Sequence, residues 1–210
     1  MHKKVNPFTH LWFHPVDTVK SVLMERSFWG IFFLAFLGAW ATSLFGTMDQ
    51  KNMVTSSGDL PNSFIIIFAG AVGAIFALIV GSIFTAFFYW LVGKILKGTG
   101  SFVALYKGSM FLTFPHFLLF PFVIIYLIAY PANFYNTDLD QTAGSITLAI
   151  IVGILAVICS IYTFIVGIVM LSEVHQFSKW KAFFTMILSV VVISAIIFAC
   201  VGIFLGLTQL

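Results

Sequence analysis

FIIIFAGAVGAIFALIVGSIFTAFFYWLV, residues Phe64–Val92, runs for 29 residues without a charge. About 20 apolar residues suffice to cross roughly 30 Å of hydrocarbon at about 1.5 Å per residue, so this run spans a bilayer with length left over for tilt. It lacks the period-two alternation of a barrel strand, and in lipid a helix satisfies its own backbone without water. Tyr89 and Trp90 near its end are interfacial aromatics.

Four more runs flank it without Asp, Glu, Lys or Arg: Phe28–Gly46, Met110–Ala129, Ser145–Ser172 and Ala182–Leu207. Tyr130 and Tyr135 follow the third run, and Trp180 marks the entrance to the fifth. The fold class that follows is all-α, a polytopic membrane helix bundle with spans at 28–46, 64–92, 110–129, 145–172 and 182–207. A segment 1–27 precedes it. The whole chain agrees, with 61% of its 210 residues hydrophobic and 8% charged, against roughly a quarter charged in soluble domains. The segments between runs are about 9 to 17 residues, too short for a soluble domain with its own core. Function therefore belongs to the bundle or its rims.

Lys and Arg fall unevenly around the spans. Lys3, Lys4, Lys20, Arg26, Lys94, Lys97, Lys107, Lys179 and Lys181 lie on one side, and Lys51 alone lies on the other, with Asp49, Asp59, Asp138 and Asp140. The positive-inside rule then puts the N-terminus in the cytoplasm and Leu210 outside. A basic rim of this kind suits topology and anionic lipid rather than nucleic acid. Lys3 and Lys4 lead into a polar, proline-containing stretch with no cleavable signal pattern, so the first span is expected to stay as an anchor.

Before that span, Pro15 and Asp17 read as a helix start, with Pro in the first turn and an acid near the positive end of the dipole. A helix to about Arg26 puts Val16, Val19, Val22 and Leu23 on one face, with Asp17, Lys20 and Ser21 elsewhere. This is the pattern of an interfacial helix, beside which Phe8, Leu11, Trp12 and Phe13 can insert. Such a helix anchors the chain at the bilayer surface, and the face of Trp12, Val16, Val19 and Leu23 can also dock a cytoplasmic partner. His10 and His14 are four apart, but Pro15 places the helix start after them, so no metal is expected there.

Inside the bundle, Gly73, Ala77 and Gly81 make a smooth strip, with Ala69 and Thr85 extending it. Ala149 and Gly153, and Ala195, Ala199, Gly202 and Gly206, repeat the device. Packing within one bundle is its first use, and a homo-oligomer its second. The third span holds Pro115 and Pro121 around His116, so it should bend or break, with freed carbonyls facing protein or a wet cavity. His116 is the ionisable group deep in a span, which makes it a candidate proton- or substrate-sensitive site or else a neutral donor to a freed carbonyl.

Glu173 and His175 sit at the end of span four, where Lys179 or Lys181 are candidate partners for the acid. Gly98-Thr99-Gly100-Ser101 reads as a tight turn into span three. Cys159 and Cys200 lie in apolar runs, away from any metal-ligand spacing. No nucleophile elbow, dinucleotide, zinc-protease or phosphate-loop motif is present, so neither an enzyme nor a cofactor is expected.

In order along the chain, these polar landmarks resemble the bacterial branch of the Ypt-interacting-protein (YIP) family of five-span membrane proteins. Asn6-Pro7-Phe8, Trp12 and Pro15-Val16-Asp17-Thr18 are similar to its N-terminal signature. Gly98-Thr99-Gly100-Ser101-Phe102 is similar to its second loop, and Leu171–Ser178 followed by Lys181-Ala182 to its fourth. The resemblance implies a membrane adaptor in a bacterial plasma membrane, whose partners are the bilayer and another membrane protein. The eukaryotic relatives act in vesicle traffic with small GTPases and carry a long cytoplasmic tail, where this chain has about 27 residues before its first span. A small transporter or lipid-handling protein with a cavity at the kinked third span is the alternative.

Overall fold

A polar residue able to cap stands before most helices. Asn6 accepts from the Phe8 N–H at 3.1 Å to open α1 (Pro7–Phe13), and Pro15 opens α2 (Pro15–Glu25) with Asp17 in its first turn. Ser27 accepts from the Gly30 N–H ahead of α3 (Phe28–Phe45), and Asn62 from the Phe64 N–H ahead of α4 (Ser63–Phe76). After a wide turn at Ala77–Gly81 the same helix continues as α5 (Ser82–Ile95). Ser101, Thr142 and Ser178 do the same for α6 (Phe102–Phe111), α9 (Ala143–His175) and α10 (Lys179–Leu207). Each cap satisfies an N–H that the helix itself leaves unpaired. Between α6 and α9 come a 3₁₀ segment (Phe114–Leu119), α7 (Phe120–Ala129) and the short α8 (Pro131–Tyr135).

This computed structural model describes residues 6–53, 60–136, 139 and 141–207, and among them no strand occurs. Five helices are long and apolar enough to cross a membrane: Phe28–Phe45, Ser63–Ile95, Phe102–Ala129, Ala143–His175 and Lys179–Ala199. Lys3, Lys4, Asp59, Asp138 and Asp140, which enter the charge count, lie outside the described residues. The helix that carries the third span starts at Phe102, ahead of the uncharged run that opens at Met110. Lys107, half-buried, stands inside that helix, because a long alkyl stem lets a lysine cover apolar surface while its charge stays in water.

Two units divide the chain. The first comprises Met1–Glu25, Ile83–Ser109 and Val166–Leu210; the second comprises Arg26–Ser82 and Met110–Ile165. In the first, α1 and α2 bury Leu11, Val19 and Val22, and α10 bonds back to α5 where the Ser189 hydroxyl donates to the Phe88 carbonyl at 3.4 Å. In the second, Ala41, Leu44, Leu119, Val123, Tyr126, Leu127, Phe134, Tyr135 and Val152 form the core. Trp40 crosses from α3 to α4 there, its indole N–H donating to the Ile67 carbonyl at 2.9 Å.

The small-residue strip of span two is displaced from its expected place. The buried positions in the second unit are Gly70, Ala74, Leu78 and Ser82, and a side-chain atom on Gly70 would strike Leu44. Gly73 lies against Ser43, whereas Ala77 and Gly81 are exposed, and a side-chain atom on Gly81 would meet nothing within 4 Å. Four residues overshoot one turn of an α-helix and undershoot one turn of a π-helix. The wide turn at Ala77–Gly81 therefore offsets the drift and holds a four-residue strip on one side. Gly202 and Gly206 belong to α10, but their surroundings lie outside the described residues.

Candidate functional site

The second unit contains the broken third span. α6 stops at Phe111, Pro115 stands in the first turn of the 3₁₀ segment, and Pro121 in the first turn of α7. Each proline thus occupies a position where its missing N–H costs nothing. Carbonyls at the break, that of Leu112 three residues before the missing Pro115 N–H among them, accept from a neighbouring helix. The Thr163 hydroxyl donates to the Leu112 carbonyl at 3.2 Å, and the Cys159 thiol to the Pro115 carbonyl at 3.3 Å. Thr113 faces α3, its hydroxyl shared between the Ala35 and Met110 carbonyls at 3.0 and 2.9 Å.

Close approach at the break depends on Gly38 of α3, because any Cβ there would collide with the Thr113 carbonyl. His116 is half-buried between the prolines, and its Nδ1 is buried without a hydrogen-bond partner. His116 therefore does not donate through Nδ1 to a freed carbonyl; Thr163 and Cys159 fill that role. Beyond the span, the Tyr126 hydroxyl donates to the Asn133 carbonyl at 3.3 Å, and Asp49 N–H to the Phe134 carbonyl at 2.9 Å. The Tyr135 hydroxyl is buried without a partner, and burial pushes that phenol up to about 12.

The first unit holds Glu173 and His175. α5 ends in a Schellman turn, with Gly98 N–H bonded to the Gly93 carbonyl at 2.8 Å, Lys97 N–H to the Lys94 carbonyl at 3.0 Å, and Lys97 at φ 64°. α9 ends similarly, with Gln176 at φ 56° and Phe177 N–H bonded to the Ser172 carbonyl. The two ends meet at His175, which is 1% exposed. Its Nδ1 accepts from Gly100 N–H at 3.2 Å, which places the ring proton on Nε2, 3.2 Å from the Tyr89 carbonyl. Thr99 donates both its N–H and its hydroxyl to the His175 carbonyl, each at 3.2 Å.

Gly93, Gly98 and Gly100 surround the imidazole so closely that a Cβ on any of them would strike the ring, and Phe177 stacks on it at 5.0 Å and 7°. Glu173 pairs with Lys20 of α2 at 3.4 Å, not with Lys179 or Lys181. α9 ends two residues later, and Lys20 of α2, in the same unit, reaches this last turn. One junction thus fastens α2, the loop after α5 and the end of α9. Of the expected docking face, Val19 is buried in this unit, while Trp12, Val16 and Leu23 are half-buried.

Sequence reasoning marked Pro115, His116, Pro121, Glu173 and His175 and missed the groups that complete each arrangement. Gly38, Thr113, Cys159 and Thr163 surround the break; Tyr89, Gly93, Gly100 and Lys20 complete the junction. The visible signal was the density of glycines in Gly93–Gly100. That His175, 75 residues from Gly100, would come opposite those glycines carries no local mark. No group of three or more His, Cys, Asp or Glu able to hold a metal occurs among the described residues.

Five apolar helices fastened through backbone carbonyls and glycine contacts define a polytopic α-helical integral membrane protein. A family model, the Yip1 domain, matches residues 9–201, and the chain belongs to that family of generally non-enzymatic membrane proteins. Neither the curated proteins nor the solved structures yielded a match.

Proposed function

We propose that this Yip1-domain protein is a non-enzymatic membrane scaffold or assembly factor. It works through membrane-embedded and rim contacts with another membrane protein, with its N-terminus in the cytoplasm of a bacterial cell and its spans in the plasma membrane. The observation that carries this reading is the His175 junction. There, the buried His175 ring and its backbone partners fix two loops, and the part-exposed Lys20–Glu173 pair adds α2 to the rim, which suits a surface that must keep its shape for a partner. Trp12, Val16 and Leu23 remain partly open on that rim.

Affinity purification in mild detergent tests it. A reproducible membrane-protein partner should be lost on Trp12→Ala or Leu23→Ser and kept on His116→Ala. The alternative, transport or lipid handling at the broken span, is supported by the partnerless Nδ1 of His116. Reconstituted vesicles with His116-dependent flux and no reproducible partner would replace the scaffold reading with that one.

A further inference from the structure

Two kinds of exposed group border the His175 junction. Lys94, Lys97, Lys179 and Lys181 are exposed, and among the described residues none of them makes an ion pair. Lys97 is two residues from Thr99, and Lys179 four from His175, so the Thr99–His175 hydrogen bonds hold both lysine pairs around one junction. The nearest acid of that junction, Glu173, is already paired with Lys20. The same unit turns large apolar side chains outward, Phe13 at 81%, Met24 at 78% and Trp180 at 74% exposed, and Trp180 stands between Lys179 and Lys181 in the chain. Water is a poor solvent for those three, and four unpaired ammonium groups call for anions. A surface that is apolar and cationic at once fits the headgroup region of a bilayer.

We propose that this rim of the first unit is a docking surface for the phosphates of anionic phospholipids, with Lys94, Lys97, Lys179 and Lys181 as the cations and Phe13, Met24 and Trp180 as interfacial anchors. The mode of recognition also follows. Three backbone amides of the glycine-rich turn are committed within the protein: Gly98 to the Gly93 carbonyl, Thr99 to the His175 carbonyl, Gly100 to His175 Nδ1. The four ammonium groups stand on flexible stems and act as point charges without directional selectivity. The surface therefore reads charge and not headgroup. This inference stands apart from the scaffold reading, since lipid retention does not depend on a protein partner.

The test uses the full chain in bilayer nanodiscs of phosphatidylcholine mixed with phosphatidylglycerol or with phosphatidylserine, transferred to mild detergent for native mass spectrometry of co-purifying lipid. Expected is enrichment of either anionic lipid over phosphatidylcholine, equal for the two headgroups and reduced by high salt. Each Lys→Gln change at the four positions should lower it roughly fivefold, whereas Lys51→Gln leaves it unchanged. Equal retention of neutral and anionic lipid by the unaltered protein overturns the proposal, as does enrichment that survives high salt. Selectivity for one anionic headgroup overturns the charge-only mode. Displacement by soluble glycerol phosphate assigns the lysines to a free phosphate instead, and also overturns it. The salt series on the unaltered chain decides the matter even where a lysine variant fails to fold.

Discussion

Replacing His175 with Ala removes the acceptor of a buried N–H and the ring against which three glycines are fitted. Gly100 N–H is left unpaired and a ring-sized void remains, each a recognised source of loss, so His175→Ala should cost roughly 2–4 kcal/mol. The check is unfolding in detergent micelles, read as a lowered midpoint. Gly93→Ala should cost roughly 1–3 kcal/mol alone, because its methyl meets the imidazole, and clearly less in the His175→Ala background where that space is free. Additive losses in this double-mutant cycle would refute the contact. Lys97 offers the opposite sign. Its φ of 64° is strained for a side-chain-bearing residue, so Lys97→Gly should raise the midpoint, by up to about 1 kcal/mol.

At the scale of the element, the broken third span shows which part of a kink a sequence announces. Pro115 and Pro121 foretell an interruption because ring geometry forbids a continuous helix wherever they fall. What meets the freed carbonyls depends on which residue of another helix comes opposite, and Thr163 and Cys159 lie 51 and 44 residues from their acceptors. Their types are ordinary for apolar spans, so no pattern flags them. The π turn at Ala77–Gly81 was illegible for a related reason, since it depends on which strip of span two finds neighbours. Thr163→Val should cost about 0.5–2 kcal/mol, the range for one interhelical hydrogen bond in a membrane. Gly38→Ala should cost more, because its methyl meets the rigid Thr113 carbonyl rather than a side chain able to move. Unfolding of both variants in micelles gives the order, and a Gly38→Ala variant as stable as the parent would contradict the packing at the break.

For the whole molecule, spans were legible because each is set by length and hydrophobicity alone, while orientation rests on charge outside the spans. Nine Lys and Arg on one side against Lys51 on the other is a bias that short loops obey. The ion pair of Lys20 with Glu173 takes one of the nine into an internal contact without moving it to the other side, so the bias stands. Single cysteines read the orientation directly. In a Cys200→Ser background, Gln50→Cys and Ser101→Cys place thiols at exposed positions in the first and second loops. Cys159 can stay, since it is buried and donates to the Pro115 carbonyl. A membrane-impermeant maleimide added to intact cells should label Gln50→Cys at once and Ser101→Cys only after permeabilisation. The reverse pattern would place the basic rim outside and remove it from the leaflet whose anionic lipids its lysines suit, whereas labelling of both from one side would contradict the number of crossings between them.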